Sequence, residues 1–315
     1  MRDTSQGKMN IEIAIVYFIN DGILAGKSPA TLEGYKYSLQ YLHQFIKLQF
    51  LPQELSSITR EVLSQYFIEG VKVKSWSKQN HWTQYKNLSV FFNWSVKKQL
   101  ITTNPLSDIP KPKLPPRIPK ALSEQEAIEL LRVVSNMPGK YRFTKLRNKA
   151  IISCLLFTGL RKSELLNLKT TDVDLHNGFI FVEKGKGGKR REIPIEETTL
   201  KIILQDYADY KNKLGKISIW FFNGTFGTKG KNAGKLSESG FALLFRSIRF
   251  VYKKGIHAHK LRHTFATLML DKDCDLFTLQ QLMGHSQIST TTIYLNSTRK
   301  KKIEAIKKMT ISLNE

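Results

Sequence analysis

The chain of 315 residues is 41% hydrophobic and 24% charged, with 50 Lys and Arg against 26 Asp and Glu for a formal charge of +24. That balance is too apolar for a disordered chain, and the positive excess favours a polyanionic partner, nucleic acid first and an anionic membrane second. The longest apolar runs, such as Ile151 to Leu160, fall short of the ~20 residues of a membrane span. The opening MRDTSQGKMN has no apolar signal core, and Cys154 and Cys274 are too few for a disulfide framework. Membrane, secreted and fibrous classes are thereby excluded, and a cytoplasmic location is expected.

The first third of the chain reads as helical. Ile11 to Ile19 and Val62 to Ile68 are short helical candidates. Ser28 followed by Pro29 is an N-cap with proline at N1, and Leu32, Tyr35, Leu39, Leu42 and Ile46 follow at spacings of three and four. A further helix is predicted from Trp82 to Lys98, with Tyr85, Leu88, Phe92 and Val96 along one side. Four such elements suggest a small helical bundle with Trp76, Trp82 and Trp94 in its core, while Lys72, Lys74, Lys78 and Lys86 leave one face available to phosphates.

Six of the ten prolines then crowd together: Pro105, Pro110, Pro112, Pro115, Pro116 and Pro119, interleaved with Lys111, Lys113, Arg117 and Lys120. Each proline fixes φ and removes a donor, so no helix or central strand runs through them. They read as a stiff, basic linker over 105–120, between a helical domain over 1–104 and a larger one over 121–315; the alternative is a proline-rich loop inside one domain.

In the larger part, Ser123 and Glu126 form a capping box ahead of a helix to about Ser135, and Arg147 to Leu156 reads as a buried helix. Phe179 to Glu183 and Arg191 to Ile195 are β-prone runs flanking KGKGGKR, a hairpin with a glycine-rich tip. Leu200 to Lys211, Ser239 to Tyr252, Lys260 to Leu270, Leu276 to Met283 and Arg299 to Lys308 are helical candidates. The fold class expected is mainly α with one small β-sheet.

Several chemistries lack their residues. No GxxxxGK[ST] pattern fits the glycine-rich stretch. His259 and His263 have zinc-helix spacing, but Lys260 stands where a metalloprotease needs glutamate. Asp172 and Asp174 read as solvated turn residues. Neither a metal nor a cofactor is expected.

What remains is a set of basic and hydroxyl groups. Arg161 lies in TGLRKSELLNL with Glu164 three residues on, a spacing that puts both on one helical face where Glu164 can orient the arginine. Lys186 sits at the hairpin tip, His259 and Arg262 share HKLRHTFAT, and His285 in LMGHSQISTTTIYLN precedes Tyr294 by nine. Singly, each has a bland reading: an ion pair, a solvated lysine, a cap, a core tyrosine. Jointly they supply phosphodiester transesterification without metal. A tyrosine with an unperturbed pKa of ~10 attacks phosphorus only with help. Two arginines offset the charge of the transition state, a contribution of ~3–4 kcal/mol for one such donor. A histidine serves as general base or holds the phosphate, and a lysine on a hairpin protonates the leaving oxygen.

These four boxes, in order and spacing, resemble the signatures of the tyrosine recombinase (phage-integrase) superfamily, and the proline linker running into LSEQEAIELL looks most like the Xer recombinases. The resemblance covers nearly the whole chain. It implies a core-binding helical domain followed by a catalytic domain, with Tyr294 as the nucleophile that forms a 3′-phosphotyrosyl link. By the same resemblance Arg161 and Arg262 bind the scissile phosphate, Lys186 is the general acid, His259 the acid/base residue, His285 a phosphate donor, and Glu164 a support for the first arginine. It further implies double-stranded DNA carrying a specific recombination site as partner, a homo- or hetero-tetramer on two sites, a Holliday junction, and a C-terminal helix (RKKKIEAIKKM) docking into a neighbour. Xer-like dimer resolution and mobile-element integration or excision both fit. A type IB topoisomerase-like activity and a catalytically silent DNA-binding relative are the rival readings.

Overall fold

The computed structural model describes residues 9–114, 121–138, 141–183, 190–215, 218–224 and 234–284. The chain divides into two compact units, Met1–Pro116 and Arg117–Glu315.

The first unit holds α1 (Ile11–Leu24), α2 (Pro29–Leu48), α3 (Arg60–Lys72) and α4 (Lys78–Lys97). Each start carries a capping side chain: Asn10, Ser28, Thr59 and Ser77 accept backbone N–H groups of the first turn, satisfying donors the helix cannot. The apolar stripe of α2 is buried as its spacing predicts, with Leu39, Leu42 and Ile46 fully enclosed against Leu63, Leu88 and Phe92. Trp76 and Trp94 pack against this core, and Trp94 Nε1 donates to Asp21 at 3.0 Å. Trp82 does not join the core; it lies half-buried with Lys86 over its ring at 5.4 Å, because its position on α4 turns away from the Leu88 and Phe92 stripe. Lys72, Lys74, Lys78 and Lys86 are all exposed. The first residues of the proline-rich stretch pack on this unit: Leu106 is buried and Tyr85 Oη donates to the Ile109 carbonyl at 3.1 Å.

The second unit contains α5 (Glu124–Asn136), α6 (Arg142–Thr158), α7 (Lys162–Leu166), β1 (Val173–Asp174), β2 (Phe179–Val182), β3 (Arg191–Pro194), α8 (Leu200–Lys213), α9 (Glu238–Tyr252), α10 (Ala258–Asp271) and α11 (Leu276–Met283). The Ser123–Glu126 capping box is present at α5. Helix α6 is the hub, packed by α5, α8 and α10, and is buried nearly all round, Ile151, Ile152, Cys154 and Leu155 being inaccessible; such a helix shows no amphipathic stripe. The three strands form an antiparallel sheet in the order β1-β2-β3. β1 occupies part of the stretch read as a turn, where Asp172 and Asp174 accept the backbone N–H groups of Lys169 and Asn177. No helix among the described residues is long and apolar enough to cross a membrane.

Helix α6 ends at Gly159, whose φ of +61° is left-handed and whose Cβ, if present, would collide with the Phe265 ring. Gly159→Ala is expected to destabilise the protein by at least about 2 kcal/mol, through left-handed strain and overpacking together. Urea unfolding checks this, and an unchanged midpoint would contradict it.

Candidate functional site

The site is assembled where three chain segments meet the end of α6. After Gly159 and the buried Leu160, Arg161 adopts an extended conformation (φ −71°, ψ 152°) as the N-cap of α7. Arg161 and Glu164 therefore do not share a helical face as their spacing suggested. They meet because Glu164, at the third helical position, reaches back to the cap: its carboxylate accepts the Arg161 backbone N–H at 2.8 Å and Nη1 at 2.7 Å.

The same carboxylate takes a second arginine. Arg191 on β3 donates from Nη1 and Nη2 to its two oxygens at 2.9 and 2.8 Å, a bidentate pair. A third guanidinium, that of Arg262 on α10, lies 4.0 Å from it. Glu164 is only 14% exposed. Burial pushes its pKa up, but the hydrogen bonds and charge of Arg191, then those of Arg161, outweigh burial and hold it at about 2.

The opposite sides of these arginines converge on one helix end. Three consecutive carbonyls at the C-terminus of α11 each accept from a different arginine: Leu282 O from Arg191 Nε at 2.9 Å, Met283 O from Arg262 Nη2 at 2.7 Å, and Gly284 O from Arg161 Nη2 at 3.1 Å. Helix C-terminal carbonyls carry partial negative charge and lack intrahelical donors, so cations are favoured there. Arg262 also donates to the carbonyl of Gly159. Arg191 and Arg262 are buried at 7% and 5%, whereas Arg161 is 36% exposed. Three guanidinium groups around one carboxylate leave two positive charges in surplus, and the exposed member offers them to an incoming anion.

Helix α10 begins at Ala258, two residues ahead of the expected start, because His257 caps it by accepting the Lys260 N–H at 3.1 Å on Nδ1. His259 thus lies in the first turn with an exposed side chain, while Arg262 one turn later is buried. The flanking His257 and His263 have pKa values pushed down, by burial first and then by His259, so both are neutral above pH 7.

Of the sequence-derived site residues, Arg161, Glu164 and Arg262 are brought together and His259 lies on the helix that carries Arg262. Lys186, His285 and Tyr294 lie outside the described residues, as does the segment of the expected docking helix. Sequence reading missed Arg191 and the two capping glycines, Gly159 and Gly284. A signal for Arg191 exists: in RREIPI, Arg191 alternates in phase with Ile193 and Ile195, and a charge at a core-facing strand position needs a buried counter-ion.

By fold and charge, this is a mainly helical protein with three guanidinium groups gathered on one buried carboxylate. The model of the phage integrase family matches residues 120–301. Tyrosine recombinase XerA of Pyrococcus furiosus is 31% identical, over 92% of this chain and 92% of its own length. Tyrosine recombinase XerC of Bacillus pumilus is 32% identical, over 85% and 86%. Among solved structures, the XerH site-specific recombinase in a post-cleavage complex with a palindromic difH substrate superposes with a TM-score of 0.69 at 22% identity, covering 87% of this chain and 78% of that one. The chain belongs to the phage integrase family, as a Xer-like tyrosine recombinase: a site-specific DNA recombination enzyme.

Proposed function

We propose that the protein cuts and rejoins duplex DNA at a specific recombination site, with Tyr294 as nucleophile. The phenol oxygen attacks the scissile phosphorus as His259 takes its proton. The bond from phosphorus to the 5′-oxygen breaks, Lys186 protonates that oxygen, and the 3′-phosphate remains on the tyrosine. Arg161 and Arg262, with His285 as a further donor, hold the non-bridging oxygens and offset the charge that builds on them. Rejoining is the same step run by the 5′-hydroxyl of a partner strand, so the phosphotyrosyl bond stores what religation needs.

The observation that supports this reading is the convergence of Arg161 and Arg262 on Glu164: positively charged in surplus, anchored on carbonyls, with Arg161 the more exposed of the two. A preorganised oxyanion site of this kind needs no reorganisation at the moment of reaction. We further read the active assembly as four protomers on two DNA sites, acting in the cytoplasm. The segment from Arg299 to Met309 would dock into a neighbour, and the 105–120 stretch would link a DNA-clamping helical domain to the catalytic one. The relatives at 31% and 32% identity are named Xer recombinases; resolution of DNA dimers and integration or excision of a mobile element both fit this chemistry.

The test is a nicked suicide duplex carrying the site, recovered by mapping protected DNA. A covalent protein–DNA adduct is expected, and tryptic digestion should leave the nucleotide on the peptide from Asp273 to Arg299, whose only tyrosine is Tyr294. An adduct on another residue, or none, would sink the proposal. Binding itself should be phosphate-dominated: affinity is expected to fall by about 10³-fold or more between about 50 and 200 mM salt. A flat dependence would contradict the role given to the +24 charge.

A further inference from the structure

We propose that Arg191 is a positioning residue for strand cleavage: its guanidinium clamps Glu164 and the Leu282 carbonyl at once, and so fixes Arg161, Arg262 and the end of α11 as one rigid arrangement. The inference rests on the reading of Arg161 and Arg262 as the phosphate-binding pair.

Arg191 is itself held from its backbone. It pairs with Val182 across the sheet, and β3 packs against α11. Its side chain projects to the buried face, in phase with Ile193. From there Nη1 and Nη2 meet the two oxygens of Glu164 while Nε meets Leu282 O, in a third direction. Only a planar fork satisfies this geometry; a lysine ammonium in the same place is a point charge with no fixed plane. The space is closed on the remaining side, since a Cβ on Gly284 would lie 2.8 Å from Nη1 and 3.0 Å from Cζ. Because Arg191 is covered, its effect on a phosphate passes through its neighbours. Glu164 passes the constraint to Arg161, and the end of α11, one residue before His285, passes it to Arg161 and Arg262 through Gly284 O and Met283 O.

A merely structural ion pair would affect stability alone, so the test separates the two roles. Wild type, Arg191→Lys and Gly284→Ala are compared for binding to the nicked duplex, for single-turnover adduct formation between about pH 5.5 and 8, and for thermal melting. Arg191→Lys is expected to bind DNA within about threefold of wild type yet cleave about 100-fold more slowly, the penalty of displacing catalytic groups by about an ångström. Its cleavage rate should also fall more steeply toward low pH than that of wild type, whose acid limb is set by the general base alone. Glu164, still buried, keeps a point charge but loses its bidentate partner, so it protonates more readily than in wild type and its hold on Arg161 weakens. The charged groups facing Glu164 are Arg161 from its own element, Arg191 from β3 and Arg262 from α10, with Lys169, Asp172 and Glu183 lining the adjacent groove.

Cleavage by Arg191→Lys within about threefold of wild type, or slowed cleavage with an unaltered pH profile, overturns the proposal and leaves the reading of the site standing. If Arg191→Lys melts below the assay temperature, Gly284→Ala decides, because its methyl displaces Arg191 from the other side. It should likewise keep affinity and lose rate, and wild-type cleavage by it overturns the inference. Failure of wild type to form any adduct overturns the reading beneath it, and this inference with it.

Discussion

Tyr294→Phe should leave DNA binding intact and abolish the covalent adduct. The substitution removes one oxygen and no charge. On the proposed reading, affinity comes from phosphate contacts summed over a chain with a surplus of 24 positive charges, so the dissociation constant is expected to stay within about twofold. Cleavage has no such reserve. On the proposed mechanism the arginines still grip the phosphate without the nucleophile, but nothing displaces the 5′-oxygen, and loss of the nucleophile in an acyl-transfer enzyme costs roughly 10⁶-fold. The measurement is adduct formation on the nicked duplex beside a binding titration on the same DNA. An adduct persisting in the variant would place the attacking group elsewhere, and a parallel loss of binding would make Tyr294 an anchor instead.

Glu164→Gln should produce the largest loss of stability. The glutamine keeps the size of the side chain and loses the charge that balances Arg191 and Arg161, leaving the buried Arg191 guanidinium uncompensated, a change that costs about 3–5 kcal/mol. The pH dependence gives a consistent figure. Glu164 titrates near 4.5 when unperturbed and at about 2 in the fold, and a depressed pKa of that size corresponds to about 3 kcal/mol. The sign follows from the direction of the shift. The folded carboxyl resists protonation, so its contribution is complete above pH 4.5 and disappears as the pH falls toward 2. Unfolding midpoints measured across that window should drop for wild type and change less for Glu164→Gln, whose side chain does not titrate. Equal midpoints for the two proteins at neutral pH would show that the carboxylate is not the hub.

Much of the architecture was legible from local pattern. The Ser28–Pro29 start, the Ser123–Glu126 box and the stripe Leu39, Leu42 and Ile46 all appear where their spacing places them, because capping and amphipathic period act over one or two turns. Where reading failed, a neighbour in space had overridden the pattern. Trp82 is aromatic and stands on a helix, yet the face it occupies turns from the core and leaves it to Lys86. Arg161 is three residues from Glu164, yet the Gly159 cap breaks the helix between α6 and α7, and the pair forms by reach-back at a helix start.

The amino-acid order alone determined the chemical kit: the order and spacing of the arginines, lysine, histidines and tyrosine, the positive excess, and the succession of mostly helical elements. All of these are properties of residue identity and short-range period. Only the tertiary structure decided what the kit is mounted on. Glu164 gathers Arg191 from 27 residues away, and Arg161 reaches Gly284 across 123. A buried charge is tolerated only where partners arrive from other elements to replace water, and which partners arrive is set by how α6, α10, α11 and the sheet pack rather than by any spacing along the chain.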